Sequence, residues 1–185
     1  MTGVQTCALP ISRELCLGRL QTERAGYRFV LMAGIGFDGA VVRDLRVVEK
    51  QLLRQGGYLL SAARNCCAWE TAPLEVRTAT EQLTCHSAVV CNASRYGGNF
   101  IMAPETDIFT PGLTVACLPG SQRRSYLGAA FDLLRGAGGS SSHIQRLCCD
   151  QVTVTGCKPI QIDGDFVGYG PAELMSETGV CRVMT

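Results

Sequence analysis

The chain has 185 residues, a formal net charge of +1, 46% apolar residues and 18% charged residues. At ~150 residues per domain this is one domain with room for appendages, long enough to bury a core without covalent staples. The near-neutral charge argues against a basic nucleic-acid-binding surface and an acidic disordered tail, and no apolar run reaches the ~18 residues of a membrane span.

Residues 1–12 read MTGVQTCALPIS, with no charge and no period. They match the in-frame translation of a sequencing-library adapter and are expected to be a non-native leader. Native sequence is then expected to begin near Arg13, with an upstream portion missing. A secretory pattern, a charged stretch followed by an apolar one, is not visible.

From Tyr27 to Met32 apolar residues alternate in a strand pattern, ending at Ala33-Gly34. Phe37, Val41, Leu45, Val48 and Leu52 recur at helical steps, and Gly56-Gly57 stops that helix. A second helix is expected over residues 58–69. Leu74, Val76 and Thr78 alternate with Glu75, Arg77 and Ala79 as a strand. Residues 83–92 hold the apolar run Ala88-Val89-Val90-Cys91, Tyr96-Gly97-Gly98 marks a turn, and further strands are expected at 99–103 and 113–118. Ser121 is placed to cap a helix whose Leu127, Ala130, Phe131 and Leu134 share a face. Residues 136–142 (GAGGSSS) read as a flexible loop. Strand patterns follow at 144–147, 152–155, 160–162 and 179–184, with Asp163-Gly164 as a hairpin turn. Short strands, turns and about three helices predict a β-rich α+β domain.

Eleven cysteines, none spaced as C-x-x-C, point to reduced thiols rather than a zinc site. Cys85, Cys91, Cys117, Cys157 and Cys181 sit among apolar residues and are expected to be buried. Of 17 basic residues 15 are Arg and two Lys, which we read as nucleotide-composition bias.

Three motifs have chemical readings. Gly34-Ile35-Gly36-Phe37-Asp38-Gly39 is a literal G-x-G-x-x-G between strand and helix. No second parallel strand follows and no acid ends a strand ~20 residues later, so a tight strand-to-helix turn is preferred over a dinucleotide site. Asp38 reads as an acid that caps or orients the helix. Tyr96-Gly97-Gly98-Asn99 is a turn or a loop that lets a ligand near the backbone, without the Lys-Ser/Thr of a P-loop. Asp163-Gly164-Asp165 reads first as a plain hairpin, with Asp165 as general base the functional alternative. His86 and His143 lack a nucleophile motif, so no hydrolase triad is supported.

Residues 32–41 (MAGIGFDGAV), Asn92 with residues 96–104 (YGGNFIMAP), and Ile162-Asp163-Gly164-Asp165 occur in an order that resembles the C-terminal domain of the bacterial diacylglycerol kinase-type lipid kinases. These are relatives of sphingosine and ceramide kinases. The resemblance runs from about Leu17 to Val183. It implies a β-sandwich-like, lipid-side domain, with residues 13–185 forming that domain. The ATP-binding half, which carries a Gly-Gly-Asp-Gly-Thr loop and resembles NAD kinase, is not in the sequence. The family's Asp-Gly-Glu motif falls on Asp163-Gly164-Asp165. Asp165, one methylene shorter than Glu, takes the place of the base that accepts the lipid hydroxyl proton. Asp38, Asn92, Tyr96, Gly97, Gly98, Asp163 and Gly164 are the implied cleft residues. Asn99 replaces a third glycine, and no aspartate falls at Thr110-Pro111 or Pro111-Gly112, where the family's structural magnesium loop belongs. Asp107 is out of register, so no metal site is carried over.

The resemblance implies ATP and Mg2+ as cofactors of the full-length enzyme, neither bound by this fragment alone. It implies as partners a lipid, a transient membrane surface and the missing N-terminal domain, and no nucleic acid. The expected location is cytoplasmic, peripheral at the inner membrane face. A non-catalytic lipid- or partner-binding β-domain is the alternative.

Overall fold

The computed structural model of the protein describes residues 12–45, 64–65, 72–96, 98 and 100–184. It is a β-sandwich of two antiparallel six-stranded sheets, with helices covering the outer face of one. The first sheet orders β2 (Gly26–Phe29), β1 (Ser12–Thr22), β14 (Ala172–Met184), β11 (Gln151–Thr155), β4 (Leu74–Arg77) and β5 (Gln82–Cys85). The second orders β10 (Gln145–Cys149), β9 (Leu113–Leu118), β6 (Ser87–Cys91), β3 (Met32–Ile35), β12 (Pro159–Ile162) and β13 (Asp165–Tyr169). Strands β7 (Arg95–Tyr96) and β8 (Phe100–Ile101) form a separate hairpin.

Burial explains why the sheets read differently in sequence. The first has one wet face, so its strands alternate: in β4, Leu74 and Val76 are buried while Glu75 and Arg77 are exposed. The second is covered on both faces, so β3, β6 and β9 are buried at every position and read as unbroken runs of small and apolar residues. Its inward residues, among them Ile35, Ala88, Val90, Leu113 and Val115, meet Leu20, Phe29, Leu74 and Leu174 of the first sheet. Its outward residues Val89, Cys91, Ala116 and Leu118 form a second cluster with Tyr126 and Ala129.

Several expectations need correction. The first helix, α1 (Phe37–Arg43), ends at an Asp44 cap, before Leu45, and the Val48 and Leu52 positions expected to continue it lie outside the described residues. The helix expected at 58–69 lies outside the described residues, apart from Arg64 and Asn65, which are helical. The strand read over Tyr27–Met32 is two strands, broken at Val30-Leu31. Strand β1 lacks a clean alternation in sequence because a bulge between Leu15 and Leu17 shifts its phase.

The helix expected after Ser121 is present as α2 (Arg123–Leu134), but Gln122 rather than Ser121 holds the cap position. It packs through Tyr126, Ala129 and Leu133, whereas Leu127, Phe131 and Leu134 are exposed. His86, buried beneath, holds this helix through Nδ1 and the Tyr126 hydroxyl at 2.6 Å, and Lys158 Nζ donates to the His86 carbonyl at 2.9 Å. The GAGGSSS segment is ordered: Gly138–Ser140 form a 3-10 turn, and Arg146 donates to the Met102 and Gly138 carbonyls.

Among the described cysteines Cys16, Cys85, Cys91 and Cys117 are buried free thiols, and burial pushes Cys91 up to about 12. Cys157 and Cys181 are exposed, against expectation. Cys157 sits in the turn before β12, and Cys181 lies on the ribbon where β1 and β14 run past the sandwich. Among the described residues no helix is long and apolar enough to cross a membrane.

Candidate functional site

The three sequence motifs meet around Asp38. Each glycine of G-x-G-x-x-G has a local reason to lack a side chain. A Cβ on Gly34 would land on the Asp38 carboxylate and lie 2.8 Å from Gln161 Nε2. Gly36 caps α1 at φ +97°, a region side chains avoid. A Cβ on Gly39 would strike the Pro159 carbonyl, so its absence lets α1 lie directly on β12. These contacts account for the motif without a dinucleotide.

Asp38 is held at both oxygens. Tyr96 donates its hydroxyl to Oδ1, and Gln161 Nε2 donates to Oδ2 at 2.6 Å. Burial raises the Asp38 carboxyl above its usual 3.8, while the bonds from Tyr96 and Gln161 oppose that rise by favouring the charged form. Asp38 is therefore a centre that organises the site, more than a helix-capping acid.

Gln161 carries the connection onward. Its Oε1 accepts the Gly164 N–H at 2.8 Å, which fixes the amide orientation and leaves Nε2 facing Asp38. Asp163 and Gly164 both have positive φ, 47° and 91°, as a two-residue type I′ hairpin requires, and Ile162 pairs with Asp165 across the turn. The hairpin reading holds.

Asp163 also has a second task. Its Oδ2 accepts from Val30 N–H at 2.7 Å, and its Oδ1 from Leu31 and Met32 N–H at 2.9 and 3.0 Å. This carboxylate stitches the β2–β3 junction to the β12–β13 turn. Asp165 opens β13 immediately after that turn and is exposed.

Asn92 is buried at the end of β6. Its Nδ2 donates to the Cys16 and Val30 carbonyls at 2.9 and 2.8 Å, joining β1 to the same junction, and its Oδ1 has no partner. Tyr96 and the positive-φ Gly98 (108°) flank the glycine turn, and Gly97 lies outside the described residues. The structure thus gathers Asp38, Tyr96 and Gly164 into one hydrogen-bonded chain through Gln161, and gives Asp163 and Asn92 backbone-holding roles beside it.

Gln161 is the residue that sequence reading missed. The available signal was a lone amide in the apolar strand Pro159–Ile162, since a buried polar group needs a partner. Near Thr110-Pro111-Gly112, Asp107 accepts the Phe109 N–H at 3.1 Å and shapes the turn. An open cleft there is lined by Glu105, Asp107, Thr110, Gly112, Cys148 and Asp150, and by none of the predicted site residues.

A sequence profile described as the YegS C-terminal NAD kinase beta sandwich-like domain matches residues 32–185. No curated protein matches the chain. Among solved structures, a "putative diacylglycerol kinase" from Bacillus anthracis str. Sterne superposes with a TM-score of 0.72 at 16% identity, covering 94% of this chain and 57% of that one. A second structure, of a diacylglycerol kinase from the same organism, gives 0.68 at 16% identity, with 94% and 56% covered. At this identity the likeness is one of fold, and the chain spans little more than half the length of these proteins.

Proposed function

Because the chain belongs to the YegS C-terminal NAD kinase beta sandwich-like domain family, we propose that it is the lipid-side portion of an ATP-dependent kinase that phosphorylates a hydroxyl of a diacylglycerol-like lipid. The observation that carries this reading is the bonded chain Tyr96–Asp38–Gln161–Gly164, which joins three motifs remote in sequence and ends at the turn presenting Asp165.

Within this reading the two kinds of carboxylate divide the work. Both oxygens of Asp38 are engaged inside the protein, which suits a positioning residue. Asp165 is exposed at the start of an edge strand and can meet a substrate arriving from outside. It accepts the lipid hydroxyl proton as the oxygen becomes a nucleophile. Among the described residues no group of three or more His, Cys, Asp or Glu could hold a metal ion. In this reading ATP and magnesium are held by the ATP-binding portion that the family resemblance implies.

The test uses a protein that joins this chain to an ATP-binding portion carrying a Gly-Gly-Asp-Gly-Thr loop, the form this reading implies. In that protein Asp165→Asn is expected to lower lipid phosphorylation ~10²- to 10⁴-fold, with the thermal midpoint unchanged. Retained turnover would replace this reading with a lipid- or partner-binding β-domain. Lipid phosphorylation by the 185-residue chain alone would overturn the placement of ATP elsewhere.

A further inference from the structure

Two cysteines face each other across the core from different sheets. Cys85 closes β5 at the edge of the first sheet, and Cys117 lies in β9 of the second. They are 2% and 0% exposed, and both belong to the cluster between the sheets. Along β9 the inward positions are Leu113, Val115 and Cys117, whereas Ala116 and Leu118 join the outer cluster.

A corner of the backbone brings the two together. Only His86 separates β5 from β6, so the chain passes from one sheet to the other in a single residue. The His86 N–H donates to the Leu118 carbonyl at 2.9 Å, and the His86 carbonyl accepts from the buried Lys158 ammonium at 2.9 Å. Cys85 and Cys117 each immediately precede a member of that bonded pair. There the Cys117 thiol donates a hydrogen bond to the Cys85 sulfur.

This bond holds the Cys85 thiol below its usual 9.0. Burial opposes the fall, and the Lys158 ammonium adds to it. Cys117, as the donor, is pushed up. Cys91 gives the contrast: equally buried, it reaches only the Val89 carbonyl of its own strand at 3.8 Å and is pushed up to about 12. An isolated buried thiol of that kind is inert. A sulfur that favours its thiolate form, facing a protonated thiol, has both parts of a disulfide-forming pair.

We infer that Cys85 and Cys117 are a redox-responsive pair, which hydrogen peroxide, a small uncharged oxidant, converts to a disulfide stapling the two sheets together. The Cys85 sulfur attacks one peroxide oxygen, the O–O bond breaks, and the departing hydroxide takes the thiol proton to leave as water. The Cys117 sulfur then attacks the sulfenic acid so formed. An S–S bond forms, the S–O bond breaks, and the hydroxyl leaves as a second water with the Cys117 proton. Both sulfurs are oxidised and both peroxide oxygens are reduced. The inference stands apart from the kinase reading.

The experiment uses the full 185-residue chain. Accessible thiols, Cys148, Cys157 and Cys181 among them, are capped with iodoacetamide in the folded state. Hydrogen peroxide is then added, and the peptides are mapped without reduction by mass spectrometry. A peptide linking Cys85 to Cys117 is expected. The bond closes a loop of about 30 residues, so the urea midpoint should rise by about 1–2 M and fall back with dithiothreitol. In Cys117→Ala the midpoint should not respond to peroxide, and dimedone should trap a sulfenic acid at Cys85. Cys85 and Cys117 found reduced or capped after treatment of the parent chain would overturn the inference. So would Cys85 joined to another cysteine, or Cys117 joined to Cys149. A linked pair without a rise in the midpoint would overturn it too, since the bond would then staple nothing.

Discussion

Gly34→Ala tests the Asp38 cluster with one methyl group. The new Cβ would occupy the position of the Asp38 carboxylate and approach Gln161 Nε2 to 2.8 Å. Gly34 does not have positive φ, so the backbone itself accepts alanine. Relief requires Asp38 to rotate away, which breaks the bonds from Tyr96 and Gln161. Hydrogen bonds to a charged group contribute ~1.5–3 kcal/mol each, and re-solvating the carboxylate offsets part of that loss. A net destabilisation of about 2–4 kcal/mol is expected, which at ~2 kcal/mol/M moves a urea midpoint down by about 1–2 M with an unchanged slope. In an Asp38→Ala background the methyl has room, and the same substitution should come within ~1 kcal/mol of neutral. Equal cost in both backgrounds would show that the glycine serves something other than the carboxylate and would refute the reasoning.

Further outcomes follow from the same contacts. Asp163→Ala removes the acceptor of three N–H groups and should cost about 1–2 kcal/mol, discounted for exposure. Hydrogen exchange at residues 30–32 should quicken in that variant, and unaltered exchange there would dismiss the stitch. Asn92→Asp sets a carboxylate against the Cys16 and Val30 carbonyls in a buried place and should cost about 3 kcal/mol or more, read by thermal unfolding at neutral pH. Carboxyl NMR should show Asp38 titrating above 3.8, and Tyr96→Phe should push it further up, because the lost bond favoured the charged form. The native state then binds more protons than the unfolded one. The Asp38 contribution to stability is accordingly full below 3.8 and declines as pH rises through the raised value. A downward move in Tyr96→Phe would contradict this.

Strand patterns were legible wherever packing was simple. Leu74 and Val76 alternate with charges because one face of their sheet is wet, and the run through Ala88–Cys91 is unbroken because both faces of its sheet are covered. Phase-shifting irregularities hid the rest: the bulge in β1, and a second register shift at Ile160/Gln161 opposite β13. Periodicity located α2 and the face shared by Leu127, Phe131 and Leu134, and the structure turns that face outward. Close packing selects Ala129 beside Gly128, where a Cβ would strike His143. The site followed the same division. Asp38, Tyr96, Asp163 and Gly164 stand in recognisable motifs, whereas Gln161, which joins them, looks like one more residue of a short strand. Its role depends on β12 lying beside β3, a pairing between residues more than a hundred positions apart.

That separation bears on how the molecule folds. The bonds from Asp38 reach across 58 residues to Tyr96 and 123 residues to Gln161. Closing such loops costs chain entropy that grows with the logarithm of their length, and nothing local repays it in advance. The cluster can form only when β3, β12 and the β7–β8 hairpin are already in place. A partly folded chain would hold no partial version of it, so the titration of a single carboxylate reports completion of the whole sandwich.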